Sequence, residues 1–71
     1  MKIKRKEYEA HHNGLKFKIR EDHPDVGAYL YVFKDDTCIN DYLQNTTEIC
    51  KELAFEEYTV DPKAWKYLGE K

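Results

Sequence analysis

The sequence predicts an α+β fold: an antiparallel meander of about four strands, one main helix packed on one face, and a short C-terminal helical turn. Three observations carry this. Asn13-Gly14 sits where a tight hairpin turn is needed, ahead of an alternating apolar and basic stretch. Ala28-Tyr29-Leu30-Tyr31-Val32-Phe33 is apolar or aromatic throughout, as a central strand is. Asn45-Thr46-Thr47-Glu48 is a helix-start signature, and an amphipathic run follows it to Tyr58.

Each element follows in chain order. Asn13-Gly14 suits a two-residue type I′ turn, because both central positions need positive φ. Beyond it Leu15, Phe17 and Ile19 alternate with Lys16, Lys18 and Arg20, the pattern of a half-buried strand. The turn sets the register: His12 faces Leu15, Ala10 faces Phe17 and Tyr8 faces Ile19, and these six form the inward face. On the outward face His11 opposes Lys16, Glu9 opposes Lys18, Glu7 opposes Arg20 and Arg5 opposes Asp22. Three of these four pairs are of opposite charge, which supports the register. Residues 21–27 form a loop in which Pro24 keeps His23 out of helix and Gly27 permits a bend.

Lys34-Asp35-Asp36-Thr37 is the next turn, and Cys38 to Gln44 the next strand. A two-residue turn there pairs Val32 with Ile39 and Tyr29 with Tyr42. It also sets Asp41 opposite Leu30 on the inward face, where a charge is costly. A bulge, or an edge strand with an inward charge, resolves that conflict. Asn45 is the expected N-cap, with Glu48 at the third helical position. At 100° per residue Ile49, Cys50, Leu53 and Ala54 share one face, while Glu48, Lys51, Glu52 and Glu56 lie away from it and Phe55 nearly opposite. Asp61-Pro62 starts a short helical turn, Lys63 to Leu68, that returns Trp65 and Leu68 to the core. The expected core is Leu15, Phe17, Ile19, Leu30, Val32, Ile39, Leu43, Ile49, Leu53 and Trp65.

Seventy-one residues make one small domain, 1–71, with no internal repeat, linker or low-complexity segment. Charged residues at 37% and hydrophobic residues at 41% place it among globular chains. No apolar run approaches the roughly 20 residues of a membrane span. Met1-Lys2-Ile3-Lys4-Arg5-Lys6 is not followed by the apolar stretch of a secretory leader. Cys38 and Cys50 lack CxxC spacing and suit a reduced, intracellular pair of small buried side chains. These features imply a cytoplasmic protein without a membrane partner.

The net charge of −2 conceals an asymmetry. Residues 1–20 hold seven Lys/Arg against two Glu, a balance of +5; residues 21–71 hold five Lys against twelve acids, a balance of −7. Such polarity marks a nucleic-acid arm, an acidic interaction face, or two halves that neutralise each other in the fold.

Catalysis is not expected. There is no serine, Cys50 falls on the core face of the helix, and nothing places a base beside Cys38. His11 and His12 point to opposite faces of a strand and cannot share a metal; neither they nor His23 lie at zinc-site spacing from a Cys. No phosphate-binding loop is present, so neither a metal nor a cofactor is expected.

Two surfaces stand out. With Leu30 and Val32 inward, Tyr29, Tyr31 and Phe33 point outward beside Lys16, Lys18 and Arg20, with Tyr42 nearby. Rings that stack on bases and cations that track phosphates suit single-stranded nucleic acid. Acidic partners for Lys18 and Arg20, and the acidic overall balance, rank structural cover or a protein-binding face, a homodimer interface included, ahead of it. The second surface is Phe55 among Glu48, Glu52, Glu56 and Glu57, either a partner anchor or a ring tucked against Trp65 or Tyr58. The expected function is therefore a non-catalytic protein-interaction module. One version is an immunity- or antitoxin-like protein that caps a toxic partner; the alternative is single-stranded nucleic-acid binding.

Three strands followed by a helix resemble, in topology, the double-stranded-RNA-binding domain and antitoxins of HicB type. The acidic helix start at Glu48 and Glu52 departs from the former, and the chain has no room for the DNA-binding portion of the latter. Asp41-Tyr42-Leu43-Gln44-Asn45-Thr46 and the later Asp61-Pro62-Lys63-Ala64-Trp65 look more like a group of small uncharacterised bacterial proteins. These share a Leu-Gln-(Asp/Asn)-Thr junction and a late Ala-x-Trp. The similarity spans roughly residues 14–67 and implies a bacterial cytosolic setting; it carries over no functional residue.

Overall fold

A computed structural model describes residues 5–23 and 25–70. Met1 to Lys4 of the basic amino-terminal run, and Pro24 with its expected effect on His23, lie outside them. The elements run β1 (Lys6–His12), β2 (Leu15–Glu21), β3 (Ala28–Lys34), β4 (Thr37–Gln44), α1 (Thr47–Tyr58), a 3-10 turn (Pro62–Ala64) and β5 (Lys66–Glu70). The fold is α+β, and its antiparallel sheet has five strands in the order β4-β3-β2-β1-β5.

The first hairpin adopts the expected register throughout. Asn13 and Gly14 have φ of 51° and 77°, the two positive values a type I′ turn needs. Tyr8 opposes Ile19, Ala10 opposes Phe17 and His12 opposes Leu15, while Glu7, Glu9 and His11 oppose Arg20, Lys18 and Lys16. Arg5 Nε reaches Asp22 Oδ1 at 3.2 Å. That contact extends the charge pairing past the end of the strand. The backbone N–H of His23 also donates to Asp22, which, with Arg5, holds the Asp22 carboxyl below the usual carboxylate range.

The β3–β4 register differs from the simple hairpin. The turn closes as expected, with Lys34 opposite Thr37 and Phe33 opposite Cys38. A bulge then leaves Ile39 unpaired, so Val32 meets Asn40, Leu30 meets Tyr42, Tyr31 meets Asp41 and Tyr29 meets Leu43. The physical reason is Asp41. One extra residue turns its carboxylate away from the core and turns Tyr42 towards it, avoiding an unpaired buried charge. The expected core positions Ile39 and Leu43 are consequently exposed, at 46% and 52%.

The helix begins one residue later than Asn45 suggests. Thr46 is the N-cap, and its hydroxyl accepts from Ile49 N at 3.1 Å. The buried stripe accordingly turns towards Thr47, Cys50 and Ala54. Leu53 is half-buried and Ile49 is exposed. At the other end Thr59 adopts φ 63°. Thr59 N and Val60 N donate to Phe55 O and Ala54 O at 2.9 and 3.2 Å, the paired bonds of a Schellman-type cap. The cap drives Val60 into the core, where it is fully buried.

The C-terminal segment corrects the expected helical turn over Lys63 to Leu68. Only Pro62–Ala64 is helical, with Asp61 Oδ1 accepting from Lys63 N at 2.8 Å. The chain then pairs with β1 as a fifth strand, Tyr8 opposite Tyr67 and Lys6 opposite Glu70. Trp65 is half-buried against the core as expected. Phe17, Ile19, Leu30, Val32, Cys50, Ala54 and Val60 form the centre of that core. It lies between the sheet and α1, and the opposite sheet face carries no other described element.

Candidate interaction surface

The hairpin and bulge registers divide the side chains between two sheet faces. The inner face meets α1 through Phe17 and Tyr58, whose rings lie 5.2 Å apart, and through Cys50 Sγ, 3.5 Å from Ala28 O. Glu21 ties the sheet to the helix start: its Oε2 accepts from Thr47 Oγ1 at 2.8 Å and from Tyr8 Oη at 3.2 Å. A carboxylate is favoured beside the positive end of a helix. Burial, then the neighbouring Glu21 charge, raises the Tyr8 phenol above its usual value.

Tyr42 belongs to this inner face and not to the outer one where sequence reasoning set it. Its hydroxyl lies 3.0 Å from that of Tyr58, which also accepts from Asn40 Nδ2 at 2.9 Å. The hydrogen bond with Tyr58, then burial, pushes the Tyr42 phenol up to about 12. Tyr42 is a core-closing residue, and its loss from the candidate outer face is the direct result of the Ile39 bulge.

The outer face keeps the other six expected residues together. Lys16 opposes Phe33, Lys18 opposes Tyr31 and Arg20 opposes Tyr29. The rings form one row along β3: Tyr29 and Tyr31 stack at 5.9 Å with 15° between planes, and Tyr31 and Phe33 lie 6.4 Å apart. Burial raises the Tyr31 phenol, against the opposing effect of Arg20. All three rings remain half-exposed. Leu43 continues the apolar surface onto β4, opposite Tyr29.

The cations beside the rings are already engaged. Lys18 Nζ is 3.0 Å from Glu7 Oε1, Arg20 Nε is 3.8 Å from Glu7 Oε2, and Lys16 Nζ is 3.4 Å from Glu9 Oε1. The Glu7 side chain is only 8% exposed, so its charge is compensated close at hand. Lys16 also lies over the Phe33 ring at 5.6 Å, its stem covering apolar surface. Glu7, Glu9 and Asp41 match the three cations of β2, leaving a near-neutral aromatic strip. The residue that sequence reasoning undervalued is Glu7: it serves Lys18 and Arg20 together, a diagonal geometry that opposed pairs alone do not show.

Phe55 is 52% exposed on the helix. His11 and His23 are exposed and His12 is half-buried. Among the described residues no group of three or more His, Cys, Asp and Glu is placed to hold a metal ion, and no helix is long and apolar enough to cross a membrane. Both cysteines are free; Cys50 is buried as expected, but Cys38 is exposed because it lies on the edge strand β4 rather than in the core. A shallow cavity of about 280 Å³ at the start of α1 is lined by Glu21, Asp22, Thr46, Thr47 and Glu48 among others, and the Thr47 hydroxyl within it donates to Glu21. Comparison with protein-family models, curated proteins and solved structures returns no match to this chain.

Proposed function

We propose that the protein is a non-catalytic interaction module that binds a protein partner through the outer face of its sheet. One observation supports this above the others. A row of half-exposed rings, Tyr29, Tyr31 and Phe33, lies on an uncovered face whose neighbouring cations are held by carboxylates. Aromatic residues on a near-neutral surface suit the desolvated centre of a protein interface.

Single-stranded nucleic acid is the second reading, favoured by the stacked tyrosines and by Lys16 over Phe33. It requires cations free to replace counterions along phosphates. Releasing Lys18 and Arg20 for that role leaves the buried Glu7 carboxylate unpaired, which is costly. The electrostatics therefore favour protein.

Capture of partners from cells by tagged chains tests the proposal. A partner retained by the wild type should be lost with Tyr31→Lys and kept with Phe55→Lys. A chain that retains no specific partner overturns the reading. So does oligonucleotide binding that weakens steeply with salt and shifts the amides of Lys16, Lys18, Tyr29, Tyr31 and Phe33.

A further inference from the structure

The two edges of the sheet are not equivalent. The β5 edge is five residues long and carries Lys66. The β4 edge is eight residues long, Thr37-Cys38-Ile39-Asn40-Asp41-Tyr42-Leu43-Gln44, and contains no Lys, Arg or Pro. Edge strands that avoid pairing usually carry such residues or a bulge, because an unpaired ladder is a template for another strand; on β4 the bulge at Ile39 protects only that end of the strand. Here Ile39 and Leu43 are instead exposed at 46% and 52%. The bulge at Ile39 leaves a regular stretch, Asn40 to Gln44, paired with Val32 to Ala28 on one side only.

Asp41 sits in the middle of that stretch. It is exposed and opposite Tyr31, on the face shared with Leu43. No salt bridge engages it among the described residues. This charge discriminates between strands that might pair here. In an antiparallel pair of two copies that brings Leu43 against Ile39, Asp41 meets its own copy. Sliding the register by two residues sets Asp41 against Leu43. Directly opposed like charges destabilise a ladder, whereas an opposite charge strengthens it.

We propose that the β4 edge is a docking site for an extended strand of a partner protein bearing a Lys or Arg between two apolar residues. The cation pairs with Asp41, one apolar residue lies against Leu43, and the other reaches the exposed Ile39 where the regular stretch ends at the bulge. The added strand extends the Tyr29–Tyr31 face, so this inference rests on the interaction reading above and names the chemistry of the partner. Backbone hydrogen bonds supply the attachment and Asp41 supplies the selection.

The test uses two blocked peptides, Thr-Val-Thr-Lys-Thr-Val-Thr and the same sequence with Glu in place of Lys. Each is titrated to millimolar concentration into the isotopically labelled full chain at low salt. The Lys peptide should shift the amides of β4 and bind about five- to tenfold more tightly than the Glu peptide. Asp41→Lys, an exposed substitution, should reverse that order. Equal binding of both peptides, no shift along β4, or a peptide-free chain that sediments as a dimer with β4 amides protected would each overturn the proposal. Shifts confined to Tyr29, Tyr31 and Phe33 overturn it while leaving the face-binding reading intact. Failure of that reading shows separately, as unchanged partner capture by Tyr31→Lys.

Discussion

Gly27 is where the loop after β2 turns into β3 against the end of β4, and its replacement by alanine gives a sharp test of the fold. Its φ is +115°, well outside the left-handed well near +60° that an alanine can enter. A Cβ there would lie 2.0 Å from Gln44 O, 3.0 Å from Gln44 C and 3.2 Å from Asn45 Cα. All three are backbone atoms, so no side chain can swing aside. Relief requires the Ala28–Gln44 pair to open by about an ångström or more, or the loop to change conformation; backbone strain of this kind costs about 1–3 kcal/mol before any loss of pairing. Gly14 is the internal control. Its φ of +77° also disfavours alanine, but nothing lies within 4 Å of its Cβ position. Gly14→Ala should therefore cost about 1 kcal/mol, and Gly27→Ala more than about 3 kcal/mol. A domain of this length has a total stability of about 4–10 kcal/mol. Urea unfolding with a shared m-value reads both; with m of about 1 kcal/mol/M, Gly27→Ala should lower the midpoint by about 3 M. If Gly27→Ala costs no more than Gly14→Ala, the close approach of Gly27 to Gln44 does not exist and the β4–α1 junction is wrongly placed.

Three further outcomes follow from local geometry. Thr59 holds a β-branched side chain at φ 63°, so Thr59→Gly should stabilise by about 1 kcal/mol and raise the thermal midpoint by about 4–8 °C. A thiol reagent at pH 8 should label Cys38 at once. It should reach Cys50 only on unfolding, because that thiol is fully buried and burial pushes it up to about 11. Tyr42 is raised from 10.0 to about 12 by its hydrogen bond to Tyr58, so the neutral phenol is the form the fold favours. The stabilisation is fully present below pH 10 and is lost as pH rises through about 12; absorbance of ionising tyrosine in the folded chain, with and without Tyr58→Phe, checks the assignment.

Much of the candidate surface was legible from residues 5–22. Asn13-Gly14 dictates a turn with a single register, and the period of two then assigns every side chain to a face. Phe17 and Ile19 inside, and Lys16, Lys18 and Arg20 outside, follow without any tertiary information. The same logic placed Tyr29, Tyr31 and Phe33 on the outer face. It failed on β4 because a bulge has no sequence mark of its own; the misfit of Asp41 signalled trouble but not its position. The helix cap slipped from Asn45 to Thr46 because two good capping residues stand side by side. Val60 was missed because its burial depends on a left-handed Thr59.

Local chemistry, carried by neighbouring residues, thus determined the first hairpin, the central strand and the presence of α1, whereas the exposure of Phe55 and Cys38 came from the tertiary structure. Tertiary structure alone decided the fifth strand, the inward turn of Tyr42 and the outward turn of Asp41 and Leu43. Lys66–Glu70 has no strong strand pattern, and becomes a strand because β1 offers it an open ladder. Asp41 faces out because the cost of burying its charge exceeds the cost of a bulge. These choices compare distant alternatives for the same backbone groups, and no window of sequence contains both sides of the comparison.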